Sequence, residues 1–155
     1  MRMVWDDELH EECGVFGVFH HAQAAMHTYF ALHALQHRGQ EGAGIATSDG
    51  VKLYCHKGRG LAAEVFRGRE LDRLPGENSI GHVRYSTAGG DVPENVQPLM
   101  ARSQIGSIAA AHNGQIVNAN ILRQRLEEQG SIFFSSSDSE IILHLIQRGK
   151  GSMMD

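Results

Sequence analysis

Residues 13–19 read Cys-Gly-Val-Phe-Gly-Val-Phe, an apolar, glycine-bearing run that begins abruptly after twelve residues carrying five acidic side chains. A run of this length and polarity predicts a buried strand, and a buried strand needs sheet partners and a core. Partners are at hand. Gly42 to Ser48 and Val51 to His56 are strand-like and flank Asp49-Gly50, a dipeptide suited to a two-residue hairpin turn. Ser79 to Ser86 and Ser107 to His112 also read as strands, separated by a long Gly-, Pro- and Asn-rich loop of the kind that carries function.

Helical periodicity fills the intervals. Ala25, Met26, Tyr29, Leu32 and Leu35 recur at helical spacing between Ala22 and His37, with Gly39 placed to end the helix in a left-handed turn. Asn118 or Asn120 can cap a helix running to Gln129 and stopped by Gly130. A further helix spans Asp138 to Arg148, with Ser137 and Glu140 at capping-box spacing. Its apolar residues, Ile141 to Leu143, Leu145 and Ile146, cover nearly every face, which predicts burial between other elements and partners beyond residue 155. No repeat or linker divides the chain, so one domain, or part of one, is expected.

Composition limits the function. With 155 residues, 41% apolar and 21% charged, the chain suits a globular domain. The net charge of −4 offers no footprint for nucleic acid or an anionic membrane. No run approaches the roughly 18 apolar residues of a membrane span, and the acidic amino terminus is unlike a signal peptide, so a cytoplasmic location is expected. Cys13 and Cys55 form no CxxC pair, and Cys55 is expected to be structural. Ten histidines raise a metal reading, with His33 and His37 on one helical face and His20-His21 nearby. The sequence lacks H-E-x-x-H and fixes no third ligand, so no metal is assigned.

The chemistry centres on Cys13. A lone cysteine is ordinarily a small buried hydrophobe. Cleavage of the Glu12–Cys13 bond would instead leave a thiol and a free α-amine on one residue, the amine having a pKa of about 8 and serving as a general base. Arg84, in His82-Val-Arg-Tyr-Ser-Thr87, offers a planar fork for a carboxylate. Asn113-Gly114 is either a hairpin turn or a pair of donors for the oxyanion of an acyl-transfer intermediate. Asp138 either favours a helix start or receives an ammonium group. Gln36-His-Arg38-Gly-Gln-Glu-Gly-Ala-Gly-Ile45 is a polar, glycine-dense turn where backbone would approach something closely.

These blocks, with Asn95-Val-Gln-Pro98 and Ser136-Ser-Asp-Ser-Glu140, run in order from about residue 11 to 148 and closely resemble the glutaminase domain of the glutamine phosphoribosylpyrophosphate amidotransferases. The Gln36-His37 and Gln40-Glu41 blocks separate this branch from other class II glutamine amidotransferases. The resemblance implies an α+β N-terminal-nucleophile hydrolase fold, an αββα sandwich of two antiparallel sheets, incomplete at the carboxyl end. It implies that residues 1–12 are a propeptide and that 13–155 are a partial glutaminase domain. It assigns Cys13 as nucleophile and base, Asn113 and Gly114 as the oxyanion hole, Arg84 with Thr87 as the α-carboxylate site, and Asp138 as the ammonium site. Arg38 would shape the pocket around the cysteine.

The implied reaction releases ammonia from glutamine through a glutamyl thioester. A phosphoribosyltransferase domain missing from this chain would then make 5-phosphoribosylamine in de novo purine synthesis. No cofactor is expected in this chain. Full-length relatives use magnesium with phosphoribosylpyrophosphate, and propeptide-bearing members carry an iron–sulfur cluster on downstream cysteines absent here. A homo-oligomer stays open. The alternatives are an inactive fragment that serves only in binding or assembly, and another class II glutamine amidotransferase.

Overall fold

The computed structural model describes residues 13–85, 93–103 and 106–149. Strands β1 (Gly14–Val18), β2 (Gly42–Ser48), β3 (Leu53–Arg59) and β4 (Asn78–Arg84) form one antiparallel sheet in the order β1-β4-β2-β3. Strands β5 (Leu99–Ser103) and β6 (Gly106–Ala110) pair in a second. Helix α1 (Ala24–Ala34) covers β4, β1 and β2, and the short α2 (Ala62–Val65) lies on β2. Helix α4 (Glu140–Arg148) packs on β5 and β6, with α3 (Ala119–Glu128) against it. Contacts between β3 and β6 bring the sheets face to face, giving the expected α+β sandwich with helices outside and two antiparallel sheets inside.

Strand alternation builds the two faces of the large sheet. On β4, Ser79, Gly81 and Val83 point to α1, where the Thr28 hydroxyl donates to Ser79 Oγ at 2.9 Å. The core on that side joins Val83 to Leu32, Ala43, Ile45, Ala62 and Phe66. Leu32 and Ile45 are wholly buried, and full burial of each such side chain contributes about 1.5–3 kcal/mol. Ile80, His82 and Arg84 point the other way: Ile80 lines the inter-sheet groove together with Ile108, while His82 and Arg84 face a cleft.

Several local expectations are corrected. The segment Leu99–Ser103, read from sequence as loop, is a strand pairing with β6. It is short and carries Arg102 and Ser103 at its end, so alternation alone did not reveal it. The hairpin loop between Ser48 and Leu53 has four residues rather than two. There Asp49 Oδ1 accepts from the Val51 and Lys52 N–H groups at 2.8 and 2.7 Å, and Oδ2 accepts the Tyr54 hydroxyl. Those bonds make an Asx-type loop and hold the Asp49 carboxyl below its usual range. Helix α1 stops at Ala34, and residues 36–38 form a 3₁₀ turn. Gly39 is extended, at φ −164°, rather than left-handed. A glycine is required there because a Cβ would lie 2.7–2.8 Å from the Val83 and Arg84 main chain.

The carboxyl-terminal helix also starts later than expected, and no capping box forms. The Glu140 carboxylate instead accepts from the Phe134 N–H and from Ser135 N–H and Oγ, tying the preceding loop to the helix. The helix is not buried all round: Ile141 and Leu143 are enclosed, whereas Leu145 is 46% exposed. Asn118 sits at the N-cap of α3 without a side-chain cap bond. The expected propeptide, residues 1–12, lies outside the described residues, as does Thr87.

Candidate active site

A cleft of about 380 Å³ opens where the amino end of β1, the carboxyl end of β4, the turn after β6 and the loop before α4 converge. Its walls bring together Cys13, Arg84, Asn113, Gly114 and Asp138 from four separate stretches of sequence. Of the other expected residues, Arg38 stands behind Cys13 rather than in the cleft wall.

Cys13 is held by its main chain. Its N–H donates to the Arg38 carbonyl at 2.9 Å, and its carbonyl accepts from Arg38 Nε at 2.8 Å. One residue thus grips both sides of the cysteine backbone. The same Cys13 carbonyl accepts a longer bond from Asn113 Nδ2 at 3.4 Å. The thiol lies against the Tyr85 main chain, with Tyr85 N–H donating to Sγ at 3.4 Å and Sγ 3.5 Å from the Tyr85 carbonyl. Cys13 adopts φ +59°, a left-handed conformation that costs a non-glycine residue on the order of 1–2 kcal/mol.

Arg84 is 7% exposed, and its Nη1 donates to the Asn95 carbonyl at 2.9 Å. Two residues earlier on the same strand face lies His82, 1% exposed. Among the described residues neither ring nitrogen has a hydrogen-bond partner, although the His112 main chain lies beside it. Burial, reinforced by the adjacent Arg84 cation, pushes the imidazole down to about 4, so His82 is neutral near pH 7.

On the opposite wall, Gly114 has φ +147° and follows Asn113 directly. Asp138 Oδ2 accepts from the Ile116 N–H at 2.7 Å, which anchors the carboxylate, while Oδ1 accepts a long bond from Ser139 Oγ, 3.4 Å. Residues 95–97 support the wall. Asn95 exchanges two hydrogen bonds with Ser136, and Gln97 bonds to His112 and Ser139. Arg123 Nη2 donates to the Ser135 and Ser137 carbonyls, both at 3.1 Å, and so supports the loop carrying Asp138.

His82, Gln97 and Ser139 received no role from sequence reasoning. The phase of β4 that exposes Arg84 to the cleft also exposes His82, so that placement was available in the pattern. Gln97 and Ser139 carried no comparable signal, because their importance arises from contacts 15 and 42 residues apart. Cys55 lies half-buried on β3, where burial pushes its thiol up. Among the described residues no three His, Cys, Asp or Glu side chains converge as a metal site.

Residues 82–155 match a family model described as a glutamine amidotransferase domain. The chain is 61% identical over 141 residues to the amidophosphoribosyltransferase of Bacillus subtilis, covering 90% of this chain and 30% of that protein. It is 53% identical over 145 residues to chloroplastic amidophosphoribosyltransferase 3 of Arabidopsis thaliana, covering 94% and 27%. A solved structure described as the allosteric regulatory enzyme of purine biosynthesis superposes with a TM-score of 0.84 at 57% identity, covering 90% of this chain and 30% of that one. The structure of B. subtilis glutamine phosphoribosylpyrophosphate amidotransferase with ADP and GMP gives 0.82 at 55%, with the same coverage. The chain thus spans about 30% of the length of these relatives.

Facing antiparallel sheets with a cysteine at the start of the first strand, together with these matches, define a glutamine amidotransferase domain of the N-terminal-nucleophile fold. The part of the parent enzymes it corresponds to follows from the coverage. The chain belongs to the amidophosphoribosyltransferase family, as its glutamine domain.

Proposed function

We propose that this chain hydrolyses glutamine to glutamate and ammonia at Cys13, and that a phosphoribosyltransferase domain outside it uses the ammonia to make 5-phosphoribosylamine in purine synthesis. One observation carries the reading. The Cys13 backbone is clamped by Arg38 and touched by Asn113, at a cleft whose other walls present Arg84 and Asp138.

Removal of residues 1–12 would convert the Cys13 N–H, already aimed at the Arg38 carbonyl, into an α-amine held by the same acceptor. That amine takes the thiol proton, and the thiolate attacks the glutamine carboxamide carbon. Negative charge builds on the carboxamide oxygen, where Asn113 Nδ2 and the Gly114 N–H would serve as donors. The α-ammonium then returns its proton to the leaving nitrogen, ammonia departs, and a Cys13 glutamyl thioester remains. Water, deprotonated by the amine, cleaves the thioester to give glutamate and restores the thiol. Substrate orientation falls to Arg84 with Thr87 for the α-carboxylate and to Asp138 for the α-ammonium. Arg38 positions the cysteine.

Among the described residues no helix is long and apolar enough to cross a membrane. That observation and the bacterial relative support a cytoplasmic location. Magnesium and phosphoribosylpyrophosphate belong, in this reading, to the transferase domain.

Incubating the full chain with glutamine, beside a Cys13→Ala control, tests the proposal. Glutamate release is expected from the first and abolished in the second, and intact-mass measurement is expected to show loss of residues 1–12. Equal glutamate formation by both proteins would overturn the assignment.

A further inference from the structure

We propose that Gln97 is a positioning residue for the oxyanion donors, acting through the His112 main chain; this deepens the glutamine-hydrolase reading and rests on it. Strand β6 ends at Ala110, so the main chain just beyond it has left the ladder. At His112 the Gln97 side-chain amide takes the place of a strand partner. The His112 N–H donates to Gln97 Oε1 at 2.7 Å, and Gln97 Nε2 donates back to the His112 carbonyl at 3.2 Å. Asn113 and Gly114 are the next two residues, so this pair of bonds determines where their donors point.

The same amide spans the cleft wall. Gln97 Nε2 also lies 3.2 Å from Ser139 Oγ, which is 3.2 Å from His112 Nδ1 and 3.4 Å from Asp138 Oδ1. Gln97 is 6% exposed and Ser139 2%, so water competes little for these bonds.

What makes Gln97 a firm reference is the seat of its backbone. A Cβ on Gly44 would lie 2.2 Å from the Gln97 carbonyl oxygen and 3.0 Å from Pro98 Cδ, so the loop rests directly on β2. Lys57, on the neighbouring strand, donates from Nζ to the Val96 and Pro98 carbonyls. Cys13 enters the same four-stranded sheet through β1. Nucleophile and oxyanion donors are therefore registered to one sheet, the first through covalent continuity and the second through Gln97.

A donor misplaced by about 1 Å is worth on the order of 10²-fold in rate, and loss of an oxyanion donor about 10²–10³-fold. Because the oxyanion exists only beyond the ground state, the effect belongs in kcat. In the full chain, Gln97→Met is expected to lower kcat for glutamine hydrolysis by about 10- to 100-fold with KM changed less than about threefold. Alkylation of Cys13 by iodoacetamide, followed by peptide mapping, forms no oxyanion and is expected to keep the wild-type rate. If Gln97 works through Asn113 and Gly114, adding Gln97→Met to Asn113→Ala should cost far less than it does alone.

An unchanged kcat, a Cys13 alkylation rate falling in parallel, or losses that multiply in the double variant would each overturn the proposal. Should Gln97→Met not fold, Gln97→Asn, which withdraws the amide by one methylene, is read by the same measurements. A wild-type protein that releases no glutamate would overturn the hydrolase reading, and this proposal with it.

Discussion

Acidification should weaken the fold through His82 in a way that a single substitution can isolate. The ring is 1% exposed on β4 and its pKa is displaced from 6.5 to about 4 by burial and by Arg84. Between those two values the unfolded chain binds a proton that the folded chain refuses. Stability therefore falls as pH drops from about 6.5 to about 4 and levels off below, whereas above 6.5 the imidazole is neutral in both states and contributes no slope. At 1.36 kcal/mol per pH unit the interval amounts to about 3 kcal/mol. Urea denaturation of wild type and His82→Leu at intervals from pH 7.5 to 4 measures it, since carboxylate contributions shared by both proteins cancel in the difference. The variant should gain about 3 kcal/mol on the wild type across the series, whatever its offset at pH 7.5. Parallel curves would refute the reasoning, because they would mean that the folded protein accommodates a charged imidazole beside Arg84.

Other perturbations probe separate parts of the structure. Gly44→Ala forces a Cβ against the Gln97 carbonyl, so a loss of about 1–3 kcal/mol in thermal or urea melts should accompany a fall in glutaminase kcat. Asp138→Asn keeps an oxygen for the Ile116 N–H but removes the charge proposed to receive the substrate ammonium. Steady-state kinetics should show KM for glutamine rising about tenfold or more, from the 1.5–3 kcal/mol of a charge-assisted bond. Thr28→Val leaves the buried Ser79 hydroxyl without its partner, and denaturation should register a loss of about 1–3 kcal/mol with unchanged kinetics.

Most of the architecture was legible because burial imposes period. The Ala25-to-Leu32 spacing and the strand patterns at 42–48 and 79–86 each correspond to an observed element. The apolar run after Cys13 is a strand as expected but not a buried one: β1 lies at the sheet edge with only Gly14 enclosed, Val15 40% exposed and the following Phe19 82%. Strand β5 escaped because five residues ending in Arg102 and Ser103 offer little alternation. The Asp49 loop and the Glu140 carboxylate escaped for a different reason: both side chains bind several N–H groups at once, and one-dimensional turn or cap rules admit only one use per residue. In the cleft, Cys13, Arg84, Asn113, Gly114 and Asp138 were nameable from their types and neighbours. Gln97 was not, since an amide acting as a surrogate strand looks in sequence like any other glutamine.

Strand β4 serves two masters at odd and even positions. A slip of one residue against β1 and β2 would carry an imidazole and a guanidinium into hydrocarbon while turning Val83 out to meet solute. Such a misthreaded chain would lose its core and the polar wall of its cleft together, so cohesion and site are enforced by the same parity. Mutational drift along this segment is consequently confined to exchanges that preserve which side each residue occupies.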